Sequence, residues 1–370
     1  MAQKTLKCAT CSTMIRHDSS SGVCLDCYKK ARSYARPEVQ VAADRDKQKT
    51  SAEIFSLKGR YAEALKTIKK QESELRSVNV LKQSVDTFMI EPKVSSGKSE
   101  GTVVMVASDW HLEEKVGAEV GGLNTFNLDI AKARVERFFQ AGLRLTNLLA
   151  QDIKIDTVIL ALLGDFITNN IHEECADVSG LQPMHAITLA KGSLISGITF
   201  LLENSSVRLI VPCHSGNHAR TTKTTRFSAE NGHSLEYLMY LSLADYFRNE
   251  PRVQFIIPEG VHSYLDVYGT VIRFQHGHAI KYGGGVGGIF IPAFKAIAQW
   301  NKGRHADLDV FGHFHQSKDG GNFLCNGSLI GYNAFALSIK ADFETPRQTL
   351  FLIDSKRGRT CSWPILVGEK

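Results

Sequence analysis

TVVMVASDWHLEE (residues 102–114) joins a run of β-branched and apolar residues to a polar end that contains Asp109 and His111. A run of this kind predicts a strand that is covered on both faces. Residues two apart leave a strand on the same side, so Asp109 and His111 can bind one cation together. An Asp-x-His pair alone is a weak indication of a metal site, and its meaning depends on the residues that follow.

The same plan, an apolar strand followed by polar residues of metal-ligand type, recurs along the chain. The apolar patterns predict strands at 157–163, 207–212, 253–257, 270–275, 308–311, 322–325 and 348–353, and helices at 127–150, 185–203 and 234–247. Four of these strands are followed by Asp165, by Asn217 and His218, by His276 and His278, and by His313 and His315. Open α/β sheets place their sites at the carboxyl ends of strands. The sequence therefore predicts an α/β fold in which these side chains meet.

The gathered side chains predict a dinuclear metal centre in which Asp165 bridges two cations. Asp109, His111 and one of the two terminal histidines, His313 or His315, would complete one ion. The second ion would be bound by Asn217, His276 and the other terminal histidine. Imidazole, carboxylate and amide ligands suit Mn, Fe, Zn or Ni better than Ca or Mg, and we expect Mn.

The charge of this predicted centre indicates its substrate class. Two divalent ions with only Asp109 and Asp165 as anionic ligands keep a net charge of about +2, which favours a phosphate group. Two ions about 3.5–4 Å apart can hold a bridging hydroxide and stabilise both the attacking and the departing oxygen of an in-line displacement. The chemistry expected is therefore phosphoester hydrolysis.

The motif series DxH, GD, GNH, His and GHxH over roughly residues 103–326 resembles the calcineurin-like metallophosphoesterase superfamily. The resemblance implies an αββα sandwich of two mixed β-sheets flanked by helices. It also implies that the metal ligands are Asp109, His111, Asp165, Asn217, His276, His313 and His315. His218 would steady the phosphoryl group and protonate the leaving oxygen, while His278 would be accessory, although the sequence leaves an exchange of roles with His276 open.

The residues after the GNH motif depart from the superfamily. Its members usually have Asp or Glu there, and that carboxylate orients the histidine, whereas this chain has Ala219 and Arg220. Phage-encoded members are similar to this chain in having a small residue and Arg. Either another acid partners His218, or Arg220 takes part in clamping the phosphate.

The N-terminal segment contains two Cys-x2-Cys pairs, Cys8 with Cys11 and Cys24 with Cys27. Four thiolates in paired short loops are typical of a closed structural zinc site, which can fold a segment too small for its own core. We therefore predict a zinc-binding module over residues 1–36. Cys175, Cys213, Cys325 and Cys361 are spaced singly and indicate thiols in a reducing compartment.

The predicted domain order after the zinc module is a linker at 37–50, a long helix at 51–90, a linker at 91–101 and the catalytic domain at 102–370. Apolar residues of the helix follow a heptad pattern, which predicts either a coiled coil that joins two copies or a helix docked along its own core. The pattern consists of Ile54, Leu57, Tyr61, Ala64, Ile68, Leu75 and Val78, with Gln71 as its polar interruption. Residues 51–85 are thus a candidate homodimer interface.

Charge is distributed unevenly along the chain. Residues 1–100 hold 19 Lys and Arg against 12 Asp and Glu, and residues 101–370 hold 25 against 26. A basic N-terminal part on a near-neutral core favours a polyanionic partner, DNA rather than RNA. Alternatively, the basic residues form a solvated surface that binds no partner. The sequence predicts no membrane span or signal segment, hence a cytoplasmic protein.

These features together predict a metal-dependent nuclease similar to the DNA-repair branch of the superfamily. Two alternatives stay open at this point. One is a phosphatase or phosphodiesterase that acts on a small nucleotide or a phosphoprotein. The other is a non-catalytic nucleic-acid-binding factor on a phosphoesterase scaffold, which is disfavoured because unused ligands would leave buried polar groups uncompensated.

Overall fold

The computed structural model describes residues 5–7, 9, 14–16, 24–33, 37–81, 88–90, 99–282, 285 and 287–368. The chain divides into two compact units, residues 1–76 and residues 77–370. In the first unit, β1 (Thr5–Lys7) pairs antiparallel with β2 (Met14–Arg16), and α1 (Leu25–Ser33) follows.

Two of the four predicted zinc ligands can be placed. Cys24 immediately precedes α1 and Cys27 lies in its first turn, where the amide of Cys27 donates a hydrogen bond to Sγ of Cys24 at 3.5 Å. Cys8 and Cys11 lie outside the described residues. The four-cysteine zinc module therefore stays a prediction.

The long helix is longer at its N-terminus than the sequence indicated. Helix α2 spans Pro37–Leu81 without interruption, so the segment 37–50 is helical and is not an irregular linker. Its polar residues are ordinary helix formers, and proline is well tolerated at a first helical position. The predicted helix end at residue 90 is also wrong, because Phe88–Ile90 forms strand β3.

The second unit contains two six-stranded mixed sheets. Their strands are β3, β4 (Glu100–Ala107), β5 (Lys154–Leu162), β6 (Arg208–Pro212), β7 (Val253–Ile256), β8 (Ser263–Val267), β9 (Thr270–Phe274), β10 (Leu308–Phe311), β11 (Lys318–Asp319), β12 (Phe323–Cys325), β13 (Arg347–Asp354) and β14 (Gly358–Leu366). One sheet has the order β14-β13-β4-β5-β6-β7, with β4 to β7 parallel and β13 antiparallel to both of its neighbours. The other has the order β11-β12-β10-β9-β8-β3.

The helices of the second unit are α3 (Leu128–Leu149), α4 (Glu173–Val178), α5 (Pro183–Glu203), α6 (Leu235–Tyr246), α7 (Phe290–Gly303) and α8 (Ala334–Ser338). Helix α3 packs on α5, and α5 packs on α6. Side chains of these three helices share a core with one face of the first sheet, and side chains of α7 share a core with strands of the second. The protein thus has the predicted αββα architecture, with two mixed sheets flanked by helices.

The position of strand β4 between two apolar cores explains why its sequence is almost entirely apolar. Val103, Met105 and Ala107 point into the core shared with the helices, while Val104 and Val106 point into the core between the sheets. All eight residues of the strand are buried. A strand covered on both faces needs apolar residues at successive positions, and the burial of β4 confirms the prediction of such a strand.

Helix α5 is long and apolar enough to cross a membrane when judged by length and composition alone. Its residues Ala186, Ala190, Leu194 and Ile198 are fully buried in the core of the second unit. Core helices of globular proteins commonly have this composition, so the helix is a weak indication of a membrane span.

Candidate metal centre

The predicted ligands follow the carboxyl ends of five strands in two sheets. Asp109 and His111 follow β4, Asp165 follows β5 and Asn217 follows β6 in the first sheet. In the second sheet, His276 follows β9, and His313 with His315 follows β10. Because β4, β5 and β6 are parallel to one another, as β9 is to β10, their ends lie on one edge of each sheet.

The structure brings six of these side chains close enough to hold cations. Potential ligand atoms of Asp109, His111 and His315 lie within 4.8 Å of one another, and so do those of Asp165, His276 and His313. The terminal histidines, which the sequence could not assign, are thus divided: His315 joins the first group and His313 the second.

Two further residues, His218 and Asn217, lie beside these groups, and Asp165 lies between them. Asp165, with His111 and His218, forms a third set of ligand atoms within 4.8 Å, so Asp165 lies close to both groups. The Nε2 atom of His276 is 3.0 Å from Asp165 Oδ2 and 3.2 Å from Asn217 Oδ1. All seven predicted ligands therefore meet, with Asp165 between the two groups.

The backbone at these ligands adopts a conformation that L-residues rarely take. Positive φ angles occur at five of the seven: Asp109 (56°), His111 (46°), Asp165 (53°), His313 (72°) and His315 (53°). Left-handed backbone at a non-glycine residue costs on the order of 1 kcal/mol and is found mostly where function requires a particular side-chain direction. Here it turns each side chain from the end of its strand towards a common centre.

The glycines of the GD, GNH and GHxH motifs allow the loops to approach each other. A Cβ atom at Gly216 would lie 2.0 Å from Oδ1 of Asp165, and one at Gly312 would lie 2.3 Å from Oδ2 of Asp109. At Gly164 it would meet the backbone nitrogen of Gly216 at 2.2 Å. Any side chain at these positions would therefore displace a carboxylate or the neighbouring loop.

Burial favours the neutral form, which binds metals, in three of the four ligand histidines. It lowers the pKa of His111 and His313 well below the usual value, and it lowers that of His315 to about 3. Imidazole binds a cation through the lone pair of its neutral form. The donor set of imidazoles, two carboxylates and an amide fits two transition-metal ions, and His276 would have to release its proton to bind one.

The carboxylates and His276 form the charged part of the centre. Burial opposes a charge on His276, but its contact with Asp165 outweighs burial and raises the pKa of His276 to about 10. Burial likewise opposes the charge on Asp165, yet His276 and His218 hold the pKa of Asp165 well below its usual value. Burial raises the pKa of Asp109 to about 7.

His218 lies beside this centre and has a hydrogen-bond partner that the sequence did not reveal. Its ring packs edge-on against His111, with 4.8 Å between centroids, and its Nδ1 atom is 2.9 Å from the backbone oxygen of Thr168. A carbonyl oxygen can only accept, so Nδ1 carries the hydrogen and Nε2 is the atom available for proton transfer. The carbonyl of Thr168 thus takes the orienting role that a carboxylate after GNH would have.

The residue that replaces this carboxylate is packed in the core. Ala219 is fully buried in the apolar cluster under the helices, where a carboxylate would be desolvated. Arg220 uses its guanidinium within its own loop, donating to the backbone oxygens of Asn217 and Thr222. Arg220 is not among the described residues that line the cleft above the metal centre.

Thr168 also supports the ligand His111. Its hydroxyl group is 3.0 Å from His111 Nδ1 and donates a hydrogen bond of 2.9 Å to Glu114 Oε2, while Asn333 donates to Glu114 Oε1. Such contacts fix the ring orientation and the tautomer of a ligating histidine. The sequence does not reveal Thr168, because a threonine three residues after the GD motif has no distinguishing pattern.

Two buried carboxylates hold the ligand loops together. Glu236 on α6 accepts hydrogen bonds from the amides of Phe166 and Gly216, at 2.7 Å each, and so joins the GD loop to the GNH loop. Glu113 accepts from the amides of Thr168 and Asn169. Burial raises the pKa of Glu236 to about 8 and that of Glu113 to about 7. Neither residue belongs to a sequence motif that would have revealed its role.

A cleft of about 300 Å³ opens onto the centre. Beyond Asp165, His218 and both terminal histidines, its lining includes Lys115, Thr168, His172, Phe335 and the carboxylates Glu114, Glu119 and Glu174. The cleft can therefore admit a small group to the metal ligands past a rim of mixed charge.

Comparisons with known proteins add little to this description. No protein-family model and no curated protein matches the chain. Among solved structures, a protein described as a 5'-nucleotidase from Staphylococcus aureus in complex with alpha-ketoglutarate matches with 11% identity and a TM-score of 0.32, covering 73% of this chain and 55% of that one. SoxB, a sulfate thiohydrolase of Thermus thermophilus in complex with glycerol, matches with 10% identity and a TM-score of 0.30, covering 74% and 58%.

This chain therefore spans little more than half of each of the two structures, and TM-scores this low carry no functional argument. The fold and the site themselves define the class of the molecule. It is a two-sheet α/β protein with buried Asp and His side chains, arranged as two groups that could hold metal ions around a shared carboxylate.

Proposed function

We propose that the chain is a metal-dependent phosphoesterase. The observation that carries the proposal is the position of Asp165 between two groups of ligand atoms at strand ends. Asp109, His111, Asp165 and His315 would hold one divalent ion, and Asp165, Asn217, His276 and His313 the other. When bound, such a pair of ions supplies Lewis-acid charge and an activated water for attack on phosphorus.

The side chains of the chain itself have separate tasks in this reaction. The phosphate binds at the open side of the ligand cluster, where the cleft admits it. His218, oriented by the carbonyl of Thr168, holds a proton at Nε2 and delivers it to the leaving oxygen. Arg220 fixes the backbone of Asn217 and so positions the loop that carries both Asn217 and His218.

For the substrate we propose a phosphodiester of nucleic acid, with DNA preferred to RNA. Support comes from the N-terminal hundred residues, whose 19 basic and 12 acidic side chains favour a polyanion, and from the paired cysteines of the zinc prediction. The zinc module and the basic segment would hold the nucleic acid while the centre cuts it.

A small phosphoester, such as a nucleotide, is a second candidate because of the rim of the cleft. The exposed carboxylates of Glu119 and Glu174 line the cleft beside Lys115, while Glu114 is buried at its base, and the cleft volume is about 300 Å³. Carboxylates at the rim disfavour a long polyanion more than a small substrate. A non-catalytic binding factor would use neither the centre nor the cleft.

The proposal predicts Mn-dependent cleavage that requires Asp165. Asp165→Asn removes the shared charge and should lower the turnover of bis-p-nitrophenyl phosphate by at least about a hundredfold, since both ions lose a ligand. Asp152→Asn, on an exposed loop, is the matched control and should keep the activity. End-labelled single- and double-stranded DNA and RNA are tested alongside.

The outcomes separate the candidate functions. Cleavage of DNA that is lost in Asp165→Asn supports the nuclease. Hydrolysis of bis-p-nitrophenyl phosphate without cleavage of any nucleic acid would support the small-substrate function instead. A wild-type protein that hydrolyses neither, or an Asp165→Asn variant as active as the wild type, would contradict the phosphoesterase proposal.

A further inference from the structure

Helix α2 presents apolar side chains to solvent along one face. Ile54, Leu57, Tyr61 and Ile68 recur at heptad spacing, and between 46% and 68% of each is exposed. A 45-residue helix that is about 68 Å long has little stability of its own unless such a face is covered. The face needs a partner of matching shape and charge.

We propose that this partner is a second copy of the chain, packed antiparallel along α2. In the heptad pattern Ile54, Tyr61 and Ile68 occupy a positions, and Leu57, Ala64 and Gln71 occupy d positions. Antiparallel helices pair a with d, and the register we propose centres on Lys66, so that facing core residues have numbers that add up to 132. Tyr61 then faces Gln71 of the second copy, and Ala64 faces Ile68.

The residues that flank this seam agree with the same register. Antiparallel helices pair e positions with e positions on one side of the seam and g with g on the other. Lys58 therefore faces Glu72 of the second copy at e positions, and Arg60 faces Glu74 at g positions, so each basic side chain meets an acidic one. Leu65, which is 38% exposed, meets Leu65 of the second copy at the two-fold axis. Two kinds of flanking pair thus join opposite charges, and a third joins leucine to leucine near the two-fold axis.

A parallel pair of the same helices fits less well. It would place Ala64 on Ala64 and Tyr61 on Tyr61, which leaves one layer underfilled and the next overfilled. It would also place Leu65 beside Arg60. A parallel pair would join Lys58 to Glu53, but only the antiparallel register pairs both Lys58 and Arg60 with acidic residues while it combines small with large core residues.

Sedimentation equilibrium of the full chain tests the proposal, because charge reversal can both break and restore the contact. Lys58→Glu with Arg60→Glu makes all four flanking pairs of the dimer acidic, and Glu72→Lys with Glu74→Lys makes all four basic. Each double variant should dimerise on the order of a hundredfold more weakly than the wild type. The quadruple variant regains opposite charges in the antiparallel register and should dimerise like the wild type.

Mixing the two double variants should likewise give a heterodimer. The control is Lys69→Glu with Lys70→Glu, on the outer face of the helix. It changes the net charge as much as Lys58→Glu with Arg60→Glu does, and it should leave dimerisation unchanged. A monomeric wild type at micromolar concentration would overturn the proposal. So would double variants that dimerise as tightly as the wild type, or a quadruple variant that stays monomeric although circular dichroism shows its helix intact.

Discussion

Thr168 is the residue on which two parts of the candidate site depend. Its backbone oxygen accepts from the proposed acid His218, and its hydroxyl contacts both the ligand His111 and the carboxylate of Glu114. A serine could make the same three contacts. The side-chain contacts can therefore be tested apart from the backbone contact.

Replacing Thr168 by Val should weaken metal binding while leaving the fold intact. Valine keeps the shape of the side chain but removes the hydroxyl group that holds His111 in place and satisfies Glu114. Loss of such support costs about 10–100-fold in metal affinity. Calorimetric titration with Mn measures the effect, and Thr168→Ser should bind Mn like the wild type. Equal affinities for the Val and Ser variants would disprove the role of the hydroxyl.

The sequence could identify the candidate ligands because residue type and position both point to them. Aspartate, asparagine and histidine directly after apolar strands, such as Asp165 and Asn217, are recognisable without knowledge of the fold. The residues that support the ligands, Thr168, Glu113 and Glu236, have no such sequence pattern. Their roles arise from contacts between loops that are far apart in the chain, as with the 70 residues that separate Phe166 from Glu236.

At the scale of elements, strand ends and tight loops act together. The GD and GNH loops approach so closely that Gly164 and Gly216 leave no room for a Cβ atom. Glu236, on a helix behind the loops, holds the amides of both. The loops are thus fixed against each other before any ion binds, which reduces the cost of assembling the ligands.

Gly216→Ala should therefore disturb the arrangement of the metal ligands without changing any ligand. Its Cβ atom would overlap Oδ1 and the backbone nitrogen of Asp165, so the carboxylate or the loop must move. We expect Mn affinity to fall by at least about tenfold and stability by about 1–3 kcal/mol. Gly192→Ala is the matched control: this helical glycine faces open space, and alanine there should stabilise α5 by about 0.5–1 kcal/mol. If both variants unfold and bind Mn alike, the close approach at Gly216 is unimportant.

The elements themselves were predictable where their pattern was long or strongly apolar. The helices predicted at 127–150, 185–203 and 234–247 agree with α3, α5 and α6 to within two residues at each end. Strand β14 escaped prediction because it is an edge strand with alternating exposure and an internal Pro364. Helix α7 escaped because it begins next to a glycine-rich run and carries Pro292 in its first turn.

At the scale of the whole molecule, the two compact units differ in what would stabilise them. The unit 77–370 buries a cluster of carboxylates and imidazoles in which the contact between Asp165 and His276 compensates only part of the buried charge, so bound cations would stabilise it further. The unit 1–76 contains most of a helix whose apolar face requires a partner. In our proposals, metal ions complete one unit and a second chain completes the other.

The stability of the two units should therefore respond to different variables. Ions that bind only the folded state stabilise it by about 2.7 kcal/mol per site at a hundredfold excess over the dissociation constant. Adding Mn to chelator-treated protein should thus raise the unfolding temperature of the larger unit, and calorimetry should show no such rise in Asp165→Asn. Raising the protein concentration should instead shift the unfolding of the helical unit, and this shift should vanish in Lys58→Glu with Arg60→Glu. An equal response to Mn in the wild type and in Asp165→Asn would show that the ions bind elsewhere, because no ion held by Asp165 could then account for the gain in stability.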